Sequence, residues 1–152
     1  MFIEWMKETR SYRRFEQDPA PSMDQLESLI DLARLAPSAS NRQPLKYILV
    51  RDPEVLPQVF SHLSWAGYLK DWPGPDPDER PTAYIIILSD PAKSKGPGID
   101  IGLAAQSILL GARELGFGAC LLGSIDRPRL REALAIAEHL EIQLVVALGA
   151  PG

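Results

Sequence analysis

The chain has 152 residues and a mass of 16.8 kDa, with 45% apolar and 24% charged side chains; this is the balance of one globular domain and excludes disordered or collagen-like chains. Sixteen Lys and Arg against twenty Asp and Glu leave a net charge of −4, which argues against non-specific binding to nucleic acid or an anionic membrane, though a local basic cluster can still hold one phosphate. The 14 prolines exceed the usual share of about 5%, so helices must be drawn around them.

Phe2 to Glu8 reads as a short amphipathic helix, and Glu4 with no long apolar run argues against a signal peptide. The polar run Thr9-Arg10-Ser11-Tyr12-Arg13-Arg14 follows. Ser22 with Gln25 three residues on predicts a capping box, and Leu26, Leu29, Ile30 and Ala33 then recur on one buried helical face. Pro37 stops this helix, leaving Ala36 to Pro44 as a loop of small and amide residues. Tyr47 to Val50 reads as a buried strand. Asp52 is expected to cap a helix near Glu54 to Leu63, with Pro53 at its first position.

Trp72-Pro73-Gly74-Pro75-Asp76-Pro77 is expected to be a surface loop, because neither a helix nor a central strand accepts it. Ala83 to Leu88 is apolar throughout, the pattern of a strand buried on both faces. Asp100 to Leu115 carries Gly102, Ala104, Ala105, Gly111 and Ala112, the texture of a tightly packed central helix. Cys120 to Leu122 is a short strand, Asp126 caps a helix containing Leu130 and Leu134, and Ile142 to Leu148 is the last strand. No repeat or domain boundary interrupts the chain. Four strands and about five helices make a single α+β domain over residues 1–152.

The lone Cys120 excludes an internal disulfide and favours a reducing, cytoplasmic setting. It reads better as a small buried hydrophobe than as a nucleophile. His62 and His139 lack partners at ligand spacing, so no metal is expected, and no apolar run is long enough to span a membrane. Arg10 and Arg13, three apart, share a face if they lie on a helical turn; they suit either an anion or solvent. The loop from Pro37 to Asn41 is small enough for close approach to a ligand, or is an ordinary helix-ending turn. Trp65, Tyr68 and Trp72 read equally as a stacking wall for a flat substrate or as core.

Three segments in register resemble the FMN-dependent nitroreductase family. They are Arg10-Ser11-Tyr12-Arg13-Arg14-Phe15, then Ala36-Pro37-Ser38-Ala39-Ser40-Asn41-Arg42-Gln43-Pro44, then Asp100 to Gly123 with Ala104-Ala105-Gln106 and Glu114-Leu115-Gly116-Phe117-Gly118. The likeness runs on to Ala147-Leu148-Gly149 and covers nearly the whole chain. It implies a nitroreductase-like fold, a central, mostly antiparallel sheet of about four strands flanked by helices, in a homodimer with FMN at the subunit interface. Arg10, Ser11 and Arg13 are implied to bind the phosphate and the pyrimidine edge of the flavin. Pro37, Ser38, Ala39, Asn41 and Gln43 are implied to reach the flavin held mainly by the partner subunit. Leu121, Leu122 and Gly123 would touch the central ring through their backbone, and Trp65, Tyr68 and Trp72 would wall the substrate site.

The implied activity is reduction of nitro compounds, quinones or similar flat acceptors by NAD(P)H in ping-pong fashion, the flavin carrying the chemistry. The rival readings are a non-catalytic FMN-binding storage or sensing module and a flavin-free interaction dimer. Two departures from the family pattern bear on flavin affinity. Thr9 stands where a second Arg is frequent, so one phosphate contact is expected from a hydroxyl. The sequence also stops at Gly152, where relatives usually continue with a tail that wraps the partner; either flavin binding weaker than the family norm or a trimmed sequence is expected.

Overall fold

The computed structural model describes residues 1–152. Its centre is an antiparallel sheet whose strands are β1 (Phe15–Glu16), β2 (Leu45–Val50), β3 (Ala83–Ser89), β4 (Gly118–Leu122) and β5 (Glu141–Pro151). β3 lies between β2 and β5, while β4 pairs with β5 from Val145 to Gly149, and β1 pairs with Ala150 and Pro151. The four longer strands fall where the sequence pattern puts them, although β2 is mostly half-buried rather than buried, with only Val50 fully covered. β1 adds a fifth, and with two residues it is too short to show a period.

All seven residues of β3 are buried, and strand alternation divides them between two cores. Ala83, Ile85 and Ile87 face α2 (Met23–Leu35) and α4 (Gly98–Glu114), joining Leu26, Leu29, Ala104, Ile108 and Ala112. Tyr84, Ile86 and Leu88 face the opposite layer, with Val59, Trp65 and Leu130. That layer holds α3 (Leu56–Phe60) and α5 (Arg127–Leu134). Burying each of these Ile or Leu side chains contributes about 1.5–3 kcal/mol, so the covered sheet is the main source of stability.

Local signals set the helix ends. Ser22 Oγ accepts from the Gln25 N–H at 3.1 Å while the Ser22 N–H donates to Gln25 Oε1 at 2.9 Å, completing the expected capping box. Asp126 caps α5 through the Arg129 N–H. Asp52 behaves differently: its carboxylate accepts from the Glu54 N–H across a tight turn, and α3 begins only at Leu56. Gly111 of α4 lets α2 come close, since a Cβ there would stand 2.9 Å from Leu29 Cδ2. α1 (Phe2–Glu8) docks on α4 through a 2.9 Å pair between Arg113 Nε and Glu8 Oε2.

The proline-rich segment is only partly a surface loop. Pro73 is exposed, but Gly74 and Pro75 are buried, and Gly74 packs so closely on the indole of Trp65 that a Cβ would lie 2.9 Å from its Cδ1. Pro77–Glu79 forms a short 3-10 turn that leads into β3. No helix is long and apolar enough to cross a membrane.

Candidate functional site

Arg10, Ser11 and Arg13 do not sit on a helical turn. α1 ends at Glu8, and the following chain runs extended beside β4, where the Tyr12 N–H donates to the Ala119 carbonyl at 3.0 Å and Ser11 bridges Ala119. Position 118 must be glycine for this approach: a Cβ would fall 2.6 Å from Tyr12 Cγ. The consequence for the arginines is the same as a helical turn would give. Arg10, Ser11 and Arg13 line one cleft of about 500 Å³ together with Gln106 of α4 and Leu121 of β4.

Arg13 is the most constrained of the three. Its guanidinium carbon lies 5.7 Å from the centre of the Tyr68 ring, within cation–π range. Its Nε is buried and has no hydrogen-bond partner in the chain. A buried donor left unpaired costs about 1–3 kcal/mol, so this nitrogen is poised for an acceptor from outside. Thr9 also lines the cleft, but its hydroxyl donates to the Trp5 carbonyl at 2.6 Å. The proton expected to reach a phosphate is spent on closing α1.

Strand alternation sorts the β4 residues. Leu121 points to the cleft and is 37% exposed, whereas Leu122 and Cys120 belong to the core beneath. Any contact from Leu122 is therefore through its backbone alone. At Gly123 a Cβ would meet nothing within 4 Å, so the chain's own packing does not demand a glycine there. Burial pushes the Cys120 thiol up from its usual 9.0, an effect the nearby Arg13 charge partly offsets, as suits an inert packing group.

The second expected segment lies elsewhere. Pro37, Ser38 and Gln43 line a separate cavity of about 270 Å³ beside α2, with Asp100 at the start of α4. Asp100 is 5% exposed. Its carboxylate accepts from Ser38 Oγ at 2.9 Å and from the Ala39 N–H at 3.1 Å, and Ser38 Oγ in turn accepts from the Gln43 N–H at 2.9 Å. The Ser38 hydroxyl is thus committed within the loop. Ser40, Asn41 and Gln43 all have φ near +50°, a strained region for residues with side chains. The turn leaves Ala39, Asn41 and Gln43 exposed. This cavity shares no lining residue with the arginine cleft.

The three aromatics separate as well. Trp65 is core: it is 5% exposed and its ring centre stands 6.0 Å from that of Phe60, so it does not wall a substrate site. Tyr68 is 72% exposed and lines both the arginine cleft and a larger neighbouring cleft of about 780 Å³. Trp72 lines the larger cleft, half-buried, with Arg14 5.8 Å above its ring. Sequence reasoning passed over Asp100, whose only local signal is an acid in a first helical turn, and assigned no role to Arg14 or Lys70.

The nitroreductase family model matches residues 6–150. A protein of Archaeoglobus fulgidus, provisionally named NADH dehydrogenase/NAD(P)H nitroreductase, is 35% identical over 151 residues, covering 94% of this chain and 82% of that protein. Among solved structures, a nitroreductase family protein from Clostridium novyi NT superposes with a TM-score of 0.83 at 26% identity, covering 100% of this chain and 86% of that one. A provisionally named nitroreductase from Desulfovibrio desulfuricans, solved in complex with FMN, has the same fold, with a TM-score of 0.81 at 24% identity over 99% of this chain and 86% of that one.

Proposed function

We infer from one established fact, that this chain belongs to the nitroreductase family, that it is an FMN-dependent oxidoreductase drawing electrons from NAD(P)H. The observation that carries the cofactor assignment is the arginine cleft, with its buried and unpartnered Arg13 Nε. The residues present suit FMN. Arg10 and Ser11 offer a permanent charge and a hydroxyl to a phosphate, and both are exposed. Arg13 offers its orphaned donor to the carbonyl edge of a flat ring, where a fixed cation favours the electron-rich reduced form over the oxidised one. Leu121 presents an apolar side chain to the cleft, and the open space above Gly123 allows a ligand near the main chain.

FMN, when bound, supplies the hydride and electron chemistry, so no side chain need act as acid or base. The protein's part is to hold and orient. Pro37, Ser38, Ala39, Asn41 and Gln43 belong to a loop that contributes nothing to the arginine cleft of its own chain. Their separation supports a homodimer in which each copy lends this loop to the other's flavin. A nitro compound, quinone or similar flat acceptor would then follow NAD(P)H into one site, which predicts ping-pong kinetics.

Purified protein is expected to show flavin absorbance, or to regain it on mixing with FMN, and to bleach anaerobically on addition of NADH or NADPH. Double-reciprocal plots against donor and acceptor should be parallel. A colourless protein that cannot be reconstituted would sink the assignment, and intersecting lines would sink the kinetic mechanism.

A further inference from the structure

We propose that the acceptor favoured by this enzyme is a planar aromatic bearing an anionic group, such as a nitroarene carboxylate or a quinone sulfonate. Arg14 and Lys70 would hold the anionic group in the larger cleft while the ring rests against Tyr68 or Trp72. This rests on the flavin oxidoreductase reading above and narrows it to a class of substrate.

The larger cleft is built from two short segments, 11–14 on one wall and 68–72 on the other, with Gly152 also lining it. Two cation–aromatic pairs join the walls at nearly equal spacing, Arg13 on Tyr68 at 5.7 Å and Arg14 on Trp72 at 5.8 Å. Arg14, Lys70 and Trp72 line this cleft but not the neighbouring one that holds Arg10 and Leu121. They are therefore left over once residues for a flavin have been named.

Charge gives the second half of the inference. Arg13, Arg14 and Lys70 face one acidic side chain, Asp71, with Gly152 also at the cleft, on a chain whose net charge is −4. The positive charge is a local arrangement. Glu79 is the one carboxylate paired with Arg14, at 3.8 Å from its Nε, too long for a hydrogen bond. The guanidinium retains its donors for a carboxylate or sulfonate, which it matches in a planar, two-pronged geometry.

A neutral ring would gain only stacking here. An anionic ring gains stacking and charge-assisted hydrogen bonds. Tyr68 is exposed enough to swing with its ligand, whereas Trp72 is anchored against the core. Trp72 is thus the fixed face and Tyr68 the adjustable one.

The test uses matched acceptors on the FMN-loaded protein: nitrobenzene against 4-nitrobenzoate, and 1,4-naphthoquinone against its 2-sulfonate. At saturating NAD(P)H the anionic member of each pair should have a KM about tenfold lower, with the advantage shrinking as salt rises. In Arg14→Gln or Lys70→Gln the ratio within each pair should fall toward one. Lys70 is exposed, so its variant guards against a folding defect at Arg14. Quenching of tryptophan fluorescence in the oxidised protein should rank the same ligands without turnover, 4-nitrobenzoate binding about tenfold more tightly than nitrobenzene.

Equal KM and equal binding within the pairs would overturn the proposal and leave the flavin assignment intact. A rise in KM for NADPH in Arg14→Gln, with no change in the acceptor ratio, would also overturn it, because the cations would then serve the donor's phosphate. If NAD(P)H fails to reduce the flavin at all, the underlying reading falls, yet the fluorescence titration still decides the cleft's preference for anions.

Discussion

Asp100 carries the clearest burden of any single residue. Its buried carboxylate gathers the Ser38 hydroxyl and the Ala39 N–H, and through Ser38 the Gln43 N–H. The turn it holds contains three left-handed residues, Ser40, Asn41 and Gln43, each costing about 1–3 kcal/mol unless its surroundings fix it. Asp100→Ala removes two charge-assisted, part-buried hydrogen bonds and should lower the unfolding free energy by about 1–3 kcal/mol, read from urea denaturation. A loss no greater than that of the exposed Glu27→Ala would show that the carboxylate does not pin the loop. The loop itself is legible in Pro37 to Pro44, but its anchor is not, because Asp100 lies 62 residues beyond Ser38. At this scale the aromatics teach the same lesson. Trp65, Tyr68 and Trp72 have similar side chains and neighbouring positions, and only packing made the first core and left the other two lining a cleft, Tyr68 exposed and Trp72 half-buried.

Elements couple the arginine cleft to the sheet. β4 supplies the carbonyl of Ala119 that aligns Ser11 and Tyr12, and it supplies Gly118, on which the Tyr12 ring rests. A methyl group at position 118 would collide with the rigid Cβ and ring of Tyr12 rather than with a flexible chain end. Gly118→Ala is therefore expected to cost about 1–3 kcal/mol and to displace Arg10 and Arg13 from the cleft. The expected result is a fall in urea midpoint together with at least about tenfold weaker FMN binding by titration. An unchanged FMN affinity would mean that the extended segment holds its place without β4. The condition of a helical turn at residues 10–13 is not met, because i to i+3 spacing is only a local hint. A free edge of β4 offered that backbone a partner. α2, α4 and β3 were readable in advance because each carries its own period and its own caps.

For the whole molecule, the covered sheet sets the response to alkali. Burial raises the Cys120 thiol above its usual 9.0 and the Tyr47 and Tyr84 hydroxyls above their usual 10.0, with Arg80 slightly offsetting the effect at Tyr84. Each group holds its proton longer when folded than when unfolded. Its contribution is thus complete below the unfolded pKa and is lost as pH rises past it. The melting temperature should fall progressively above about pH 9, cysteine leading and the tyrosines following. The Cys120→Ala variant should lose the first part of that decline; an unchanged profile would assign it to other groups. Assembly belongs to this scale too, and sedimentation of the FMN-loaded protein is expected to give twice the 16.8 kDa chain mass. A monomer that still binds FMN would remove the need for a partner's loop. The sequence by itself determined the α+β class, the long strands and capped helices, the order of the motifs and the family they resemble. These follow from neighbours within a few residues, where side-chain period and backbone geometry act directly. Only the tertiary structure decided that Arg13 keeps an unpaired donor, that Thr9 spends its proton on α1, that Trp65 is core, and that Asp100 holds the 38–43 turn. Each of those depends on which distant surface competes for a group's hydrogen bonds or exposed area. That competition is resolved only when the chain has folded.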